Sequence, residues 1–197
     1  MPIRLNSTGG GAVTITAPYT ASTYTLTAPT VTANIVTDSA NSITQSMMST
    51  GLAGTGPAFS AYRDSTNQTI TTNTWTKVQF NQKEYDTANC FDNTTNYRFT
   101  PNVAGYYQIN ASLLSQASAI TRLIVTTYKN GGGGKYGNDI YPYSTGTCRV
   151  VLSALHYMNG TTDYLEVWTY IIGTGTITIT AQGGQDSFFQ GFLARSA

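Results

Sequence analysis

From Phe59 to Leu193 the chain is a succession of short strand-like runs separated by turn signals, and this pattern constrains the fold more than any other feature. The runs are Phe59 to Arg63, Trp75 to Phe80, Tyr106 to Leu114, Arg122 to Tyr128, Cys148 to Tyr157, Asp163 to Ile172, Thr176 to Ala181 and Ser187 to Leu193. A period of two puts successive side chains on opposite faces of a strand, and eight such segments between turn signals predict a β-sandwich or barrel. Asn130-Gly131 supplies the positive φ of a tight hairpin turn, and Asn159-Gly160 marks another turn. The residue supply agrees, because 35 Thr and 14 Tyr against only two Glu favour strands over helices. An all-β chain is expected.

The sequence changes character at Gly51-Leu52-Ala53-Gly54-Thr55-Gly56-Pro57, a cluster of chain-breaking residues. Residues 1–56 are therefore expected to form a β-rich arm and linker, and residues 57–197 the main domain. In the arm, Val13-Thr14-Ile15-Thr16-Ala17-Pro18 is echoed 11 residues later by Tyr24-Thr25-Leu26-Thr27-Ala28-Pro29. Both read as short strands stopped by Pro, Val31 to Val36 as a third, and Asp38 or Ser39 as the cap of a short helix carrying Ile43, Met47 and Met48. So few large apolar side chains cannot bury a core of their own. The arm is expected to lean on copies of itself or on another protein, with Val13, Ile15, Tyr24 and Leu26 as its anchoring side chains.

Ten Lys and Arg against nine Asp and Glu leave a net charge of +1, and charged residues make up only 10% of the chain. Such a chain offers no cationic field for a nucleic acid and no polybasic run for a lipid surface, so neither is an expected partner. No apolar stretch approaches the roughly 20 residues of a membrane helix, and none of signal-peptide length precedes Gly9-Gly10-Gly11. Synthesis in the cytoplasm without a leader is expected, and there Cys90 and Cys148 would be two free thiols.

Catalysis requires groups whose protonation can be poised, and the stock is thin: one His, two Glu and seven Asp. His156 lies in an apolar strand, where a lone His is a packed or interface residue. Glu84 and Glu166 suggest no acid–base pair. Gly131-Gly132-Gly133-Gly134-Lys135 lacks the following Ser or Thr and helix of a phosphate loop and reads as a hairpin tip. Asp139, Asp163 and Asp186 are the acidic residues that could meet calcium, yet no EF-hand pattern surrounds them. No enzyme activity, cofactor or metal is expected. The one ligand candidate is the Tyr-rich segment Tyr136 to Tyr143, read as a loop. Tyr136, Asn138, Asp139, Tyr141 and Tyr143 there combine apolar ring faces with hydrogen-bonding groups suited to a sugar or a protein, and the rings are expected to be exposed.

Phe80, Asp86, Phe91, Phe99, Gly105, Tyr107 and Ile109 together follow a spacing that resembles the C1q/TNF-like jelly roll. Pro57-Ala58-Phe59-Ser60-Ala61 resembles the first strand of that family and Ser187-Phe188-Phe189-Gln190-Gly191-Phe192-Leu193 the last. Tyr128-Lys129-Asn130-Gly131 and Leu155-His156-Tyr157 before Gly160 and Asp163 fall in the family's order. The chain departs from the pattern by one extra residue between Phe91 and Phe99, and by Ile109 and Ala111 where aromatics are usual. The resemblance implies a ten-strand jelly-roll β-sandwich packed as a homotrimer. Val150 to Tyr157 is apolar on both faces, and by analogy with the family's inner sheet the face of Val150, Leu152, Ala154 and His156 is expected to form the trimer interface.

Gly10-Gly11-Ala12-Val13-Thr14-Ile15-Thr16-Ala17-Pro18, with its echo ending at Pro29, resembles the opening of many tailed-phage virion proteins, notably from phages of cyanobacteria and marine bacteria. The resemblance implies a non-enzymatic protein on the virion surface, made in the host cytoplasm. Two roles follow. One is a trimeric capsid decoration, cement or head-fibre protein docked through its arm onto the major capsid protein or another virion protein. The other is the receptor-binding head of a tail fibre, recognising a host surface glycan or protein. The first is preferred, because a short, Pro-interrupted arm gives little reach.

Overall fold

The computed structural model describes residues 4–6, 12–14, 56–142, 144–181 and 185–197. The chain divides into two units, Met1–Thr44 and Gln45–Ala197. In the first, β1 (Arg4–Asn6) pairs antiparallel with β2 (Ala12–Thr14), Leu5 standing opposite Val13. Val13 thus lies in a local two-stranded ladder. Ile15, Tyr24 and Leu26, the rest of the expected anchor, lie outside the described residues.

Each of the eight strand-like runs carries a strand in the second unit, and every described strand pairing there is antiparallel. The strands are β3 (Ala58–Tyr62), β4 (Gln68–Ile70), β5 (Thr76–Lys77), β6 (Gln82–Asp86), β7 (Phe91–Asp92) and β8 (Arg98–Phe99). They continue as β9 (Ala104–Lys129), β10 (Gly132–Ile140), β11 (Ser144–Asn159), β12 (Leu165–Thr174), β13 (Ile177–Ile179) and β14 (Phe188–Ser196). The described residues of the second unit form twelve strands, three of them two-residue ladders, beside the ten that the family pattern implied. No helix occurs among the described residues.

All twelve belong to one sheet that folds back on itself along β9. The runs Tyr106 to Leu114 and Arg122 to Tyr128, which read as two strands, are the two halves of this single 26-residue strand. Its first half lies between β14 and β11, and β14 continues to β3 and β6. Its second half lies between β10 and β12, and β12 also pairs with β5 and β8. The short β4–β13 pair joins it at Ser115 and Gln116. The Tyr136 segment is therefore strand rather than loop for most of its length. Asn130 and Gly131, with φ of 54° and 77°, make the two-residue turn into it, and Lys129 pairs directly with Gly132.

The interior explains the aromatic spacing. Phe59 stacks on Phe99 at 4.3 Å and on Phe91 at 5.1 Å, and Phe189 meets its edge at 4.9 Å. Phe80 and Tyr107 join through Phe189 and Phe99, and the Tyr107 hydroxyl donates to the Val103 carbonyl at 2.8 Å. Asp86 holds the approach to β7 by accepting the Cys90 and Phe91 N–H groups while pairing with Lys83. Gly105 is required by space, because a Cβ there would lie 2.4 Å from the Arg195 carbonyl oxygen. Cys90, buried beside this cluster, and Cys148 on β11 are separate thiols.

Candidate functional site

Two outward surfaces carry chemistry that the core does not account for. The first spans β14, β9 and β11, where cross-strand registers build rungs of side chains facing away from the interior. Phe192, Gln108 and Leu155 form one rung; Phe188, Ser112 and Val151 another; Tyr106 and Tyr157 face each other in a third, their rings 5.5 Å apart. Val151, Leu155, Tyr157, Tyr106 and Phe192 are each between 42% and 51% exposed, an apolar patch that water meets directly in the single chain. Between them Gln108 Nε2 donates to Ser153 Oγ at 2.9 Å, so the polar centre of the patch is already ordered.

This corrects the expected interface. Val150, Leu152 and His156 are buried inside the sandwich and half-buried Ala154 packs against the same core, so this face lines the interior rather than an interface. The strand is apolar on both faces as the sequence says, but its interior face is the even-numbered one. His156 fits there because the second half of β9 supplies a partner: its Nε2 lies 3.1 Å from Thr127 Oγ1.

Burial, and then the nearby Lys135 and Lys129 ammonium groups, push the His156 pKa from 6.5 down to about 4. Above pH 6.5 the ring is neutral in folded and unfolded chains alike. Between 6.5 and about 4 the unfolded chain takes the proton first, so stability falls as pH falls, by on the order of 3 kcal/mol across the window. Below about 4 the folded ring protonates as well and this loss levels off. Melting temperatures of His156→Gln measured from pH 7.5 to 4.5 should decline less steeply than those of the parent chain. The carboxylates of Asp139 and Asp163, held low by Arg122 and by Lys129 respectively, give up their stabilisation only below this window.

The second surface is the outward side of β5, β12, β9 and β10. Leu123, Val125 and Thr127 are buried, the first two in the core cluster, so Arg122, Ile124, Thr126 and Tyr128 of β9 face outward. Trp168 and Tyr136 flank Thr126 in register, and Tyr170 flanks Ile124. Trp75, immediately before β5, lies among them: 5.3 Å from Tyr170, 6.1 Å from Tyr136 and 6.2 Å from Tyr128, ring centre to ring centre. Tyr128 stacks on Trp168 at 4.6 Å.

Of the expected ligand residues, Tyr136 and Tyr141 are exposed, each at 61%. Asn138 and Asp139 have structural partners. Asn138 Oδ1 accepts the Val151 N–H, tying β10 to β11, and Asp139 takes both oxygens to Arg122 at 2.7 and 3.0 Å. Tyr143 lies outside the described residues. Sequence reasoning missed Trp75, Tyr128, Trp168 and Tyr170 as site residues. They are scattered over two strands and the segment before β5, and only the cross-strand register unites them.

The carboxylates weighed for calcium are each matched by a cation of the chain. Asp139 pairs with Arg122, Asp163 with Lys129 at 2.8 Å and Asp186 with Arg149 at 2.8 Å. Glu166, buried under the rings, pairs with Lys77 at 3.0 Å and accepts the Trp168 indole N–H at 3.0 Å, while Glu84 is exposed on β6.

No protein-family model matches the chain, and no curated protein matches its sequence. Solved structures do match its fold. The globular domain of a zebrafish complement 1qA protein superposes with a TM-score of 0.52 and 18% identity, over 72% of this chain and 99% of that one. The Eiger TNF of S. frugiperda superposes with a TM-score of 0.56 and 10% identity, over 72% of this chain and 95% of that one. The fold of the second unit is the jelly roll shared by C1q and TNF heads.

Proposed function

We propose that the chain is a non-enzymatic structural protein of a phage particle, a trimeric jelly-roll head that decorates or cements a capsid, or forms a head fibre, and docks through residues 1–56. The observation that carries the self-association is the apolar patch of Tyr106, Val151, Leu155, Tyr157 and Phe192, which a lone chain leaves in water. The patch lies on one continuous sheet face, as a closed symmetric contact requires. The virion setting is supported by the likeness of the Gly10 to Pro29 segment to tailed-phage virion proteins. Strand addition suits such docking, because backbone hydrogen bonding tolerates sequence variation on a repetitive particle surface.

Deleting residues 1–50 is expected to leave a soluble, self-associated head that no longer attaches to particles. Co-sedimentation with purified capsids measures it, and full occupancy by the truncated head would remove the docking role of the arm. A receptor-binding head is the second reading, favoured by the exposed rings of Tyr136 and Tyr141. Binding of the purified head to host cells, with none to capsids, would establish it in place of the first.

A further inference from the structure

The aromatic surface over β5, β12, β9 and β10 is larger than packing requires. Ile124 and Thr126, the outward residues beneath it, are already 4% and 0% exposed. A satellite core that existed only to cover them would bury its own ring faces, yet Trp75, Tyr128, Trp168 and Tyr170 remain partly open and Tyr136 is largely so. Partly open rings, with Trp75 tilted 45° to Tyr170 and 72° to Tyr136, form a stepped aromatic platform on which successive rings of a weakly polar, non-planar ligand can lie.

Charge decides which ligand. The two cations beside the rings are cancelled locally: Arg122 by the two-pronged contact to Asp139, and Lys77 by Glu166. A phosphodiester strand stacking on aromatics needs cations left over for its backbone, and an acidic sugar needs one for its carboxylate. Neither is provided here. What the platform does provide at its rim is the Arg122–Asp139 pair, kept in place with the guanidinium 5.2 Å from the Tyr141 ring and 5.8 Å from the Tyr170 ring. Such a pair presents both donors and acceptors to neutral hydroxyl groups.

We propose that this platform is a binding site for a neutral oligosaccharide, its pyranose C–H faces lying on Trp75, Tyr136 and Tyr170 and its hydroxyls meeting Arg122 and Asp139. The site goes beyond capsid docking and does not depend on it, since no arm residue takes part.

The test is an array of neutral hexose and N-acetylhexosamine oligosaccharides, with sialylated and sulfated ones alongside, probed with the full-length protein, and a fluorescent oligo-dT titrated separately. Neutral members should bind, and Trp75→Ala should weaken that binding by about tenfold or more. Because Trp75→Ala could disturb the turn before β5, Tyr136→Ala serves as the second variant. Its ring is mostly in solvent, so its loss cannot unfold the sheet, and it should weaken binding in the same direction. Failure of every neutral member to bind would overturn the proposal. So would binding confined to acidic glycans or oligo-dT, or neutral binding unchanged in both variants.

Discussion

Leu155→Asp is expected to convert the proposed trimer into single folded chains, lowering the mass seen by light scattering from three chains to one. Leu155 stands in the rung between Gln108 and solvent, 44% exposed in the isolated chain, so an Asp there costs the fold almost nothing. In an assembly that covers the Tyr106–Leu155–Phe192 patch, the same carboxylate is desolvated without a partner, at a cost of several kcal/mol per site. Three such sites around a closed ring should weaken association by well over about a hundredfold. The counterpart one turn of the pleat away behaves differently. Leu152 is 2% exposed, so Leu152→Asp places a charge in the core and should prevent folding rather than assembly. A single-chain mass for the unmodified protein, or trimers that persist in Leu155→Asp, would remove self-association through this face.

Phe59→Ala is the most destabilising single core change expected. The ring is 0% exposed and lies between Phe91 and Phe99 with Phe189 at its edge, so it ties β3, β7, β8 and β14 together. Truncation loses the transfer free energy of the ring and leaves a void that three neighbouring rings cannot collapse into without breaking their own contacts. A loss of about 3–5 kcal/mol follows. At fixed protein concentration the melting temperature should fall by roughly 10–20 °C. Phe59→Leu, which refills most of the volume, should recover at least half of that. A fall of only a few degrees in Phe59→Ala would mean that the cluster does not join the strands as described.

The core was legible in the sequence because its members are large and their spacing is peculiar. Phe80, Phe91, Phe99, Tyr107 and Ile109 are all buried, and Gly105 sits where no side chain fits. The orientation of β11 was not legible, for a physical reason: its even and odd residues are similarly apolar, and a period of two cannot say which set faces in. The analogy with the family's inner sheet turned the His156 face outward, whereas the Thr127 hydroxyl from the second half of β9 gives an interior His a partner. The Gly-rich β10 read as a loop because glycine carries no strand signal of its own. Its pairing with β9 is interrupted by two register shifts, and side-chain bonds from Asn138 and Lys135 to β11 hold it. The aromatic platform was half legible: Tyr136 and Tyr141 stand in one segment, while Trp75, Trp168 and Tyr170 reach it from others.

The position of β14 bears on the order in which the molecule can be made. Phe188–Ser196 lies between β3 and β9, hydrogen-bonded to both, so the β3–β6 pair has no place in the sheet until those residues are present. During synthesis β9 and its hairpin partner β10 leave the ribosome before β14 and can pair locally, but the gap beside β9 stays open until Phe188–Ser196 has cleared the exit tunnel. Closure of the sheet therefore waits on β14, with an unpaired strand edge on β9 exposed meanwhile to other nascent chains.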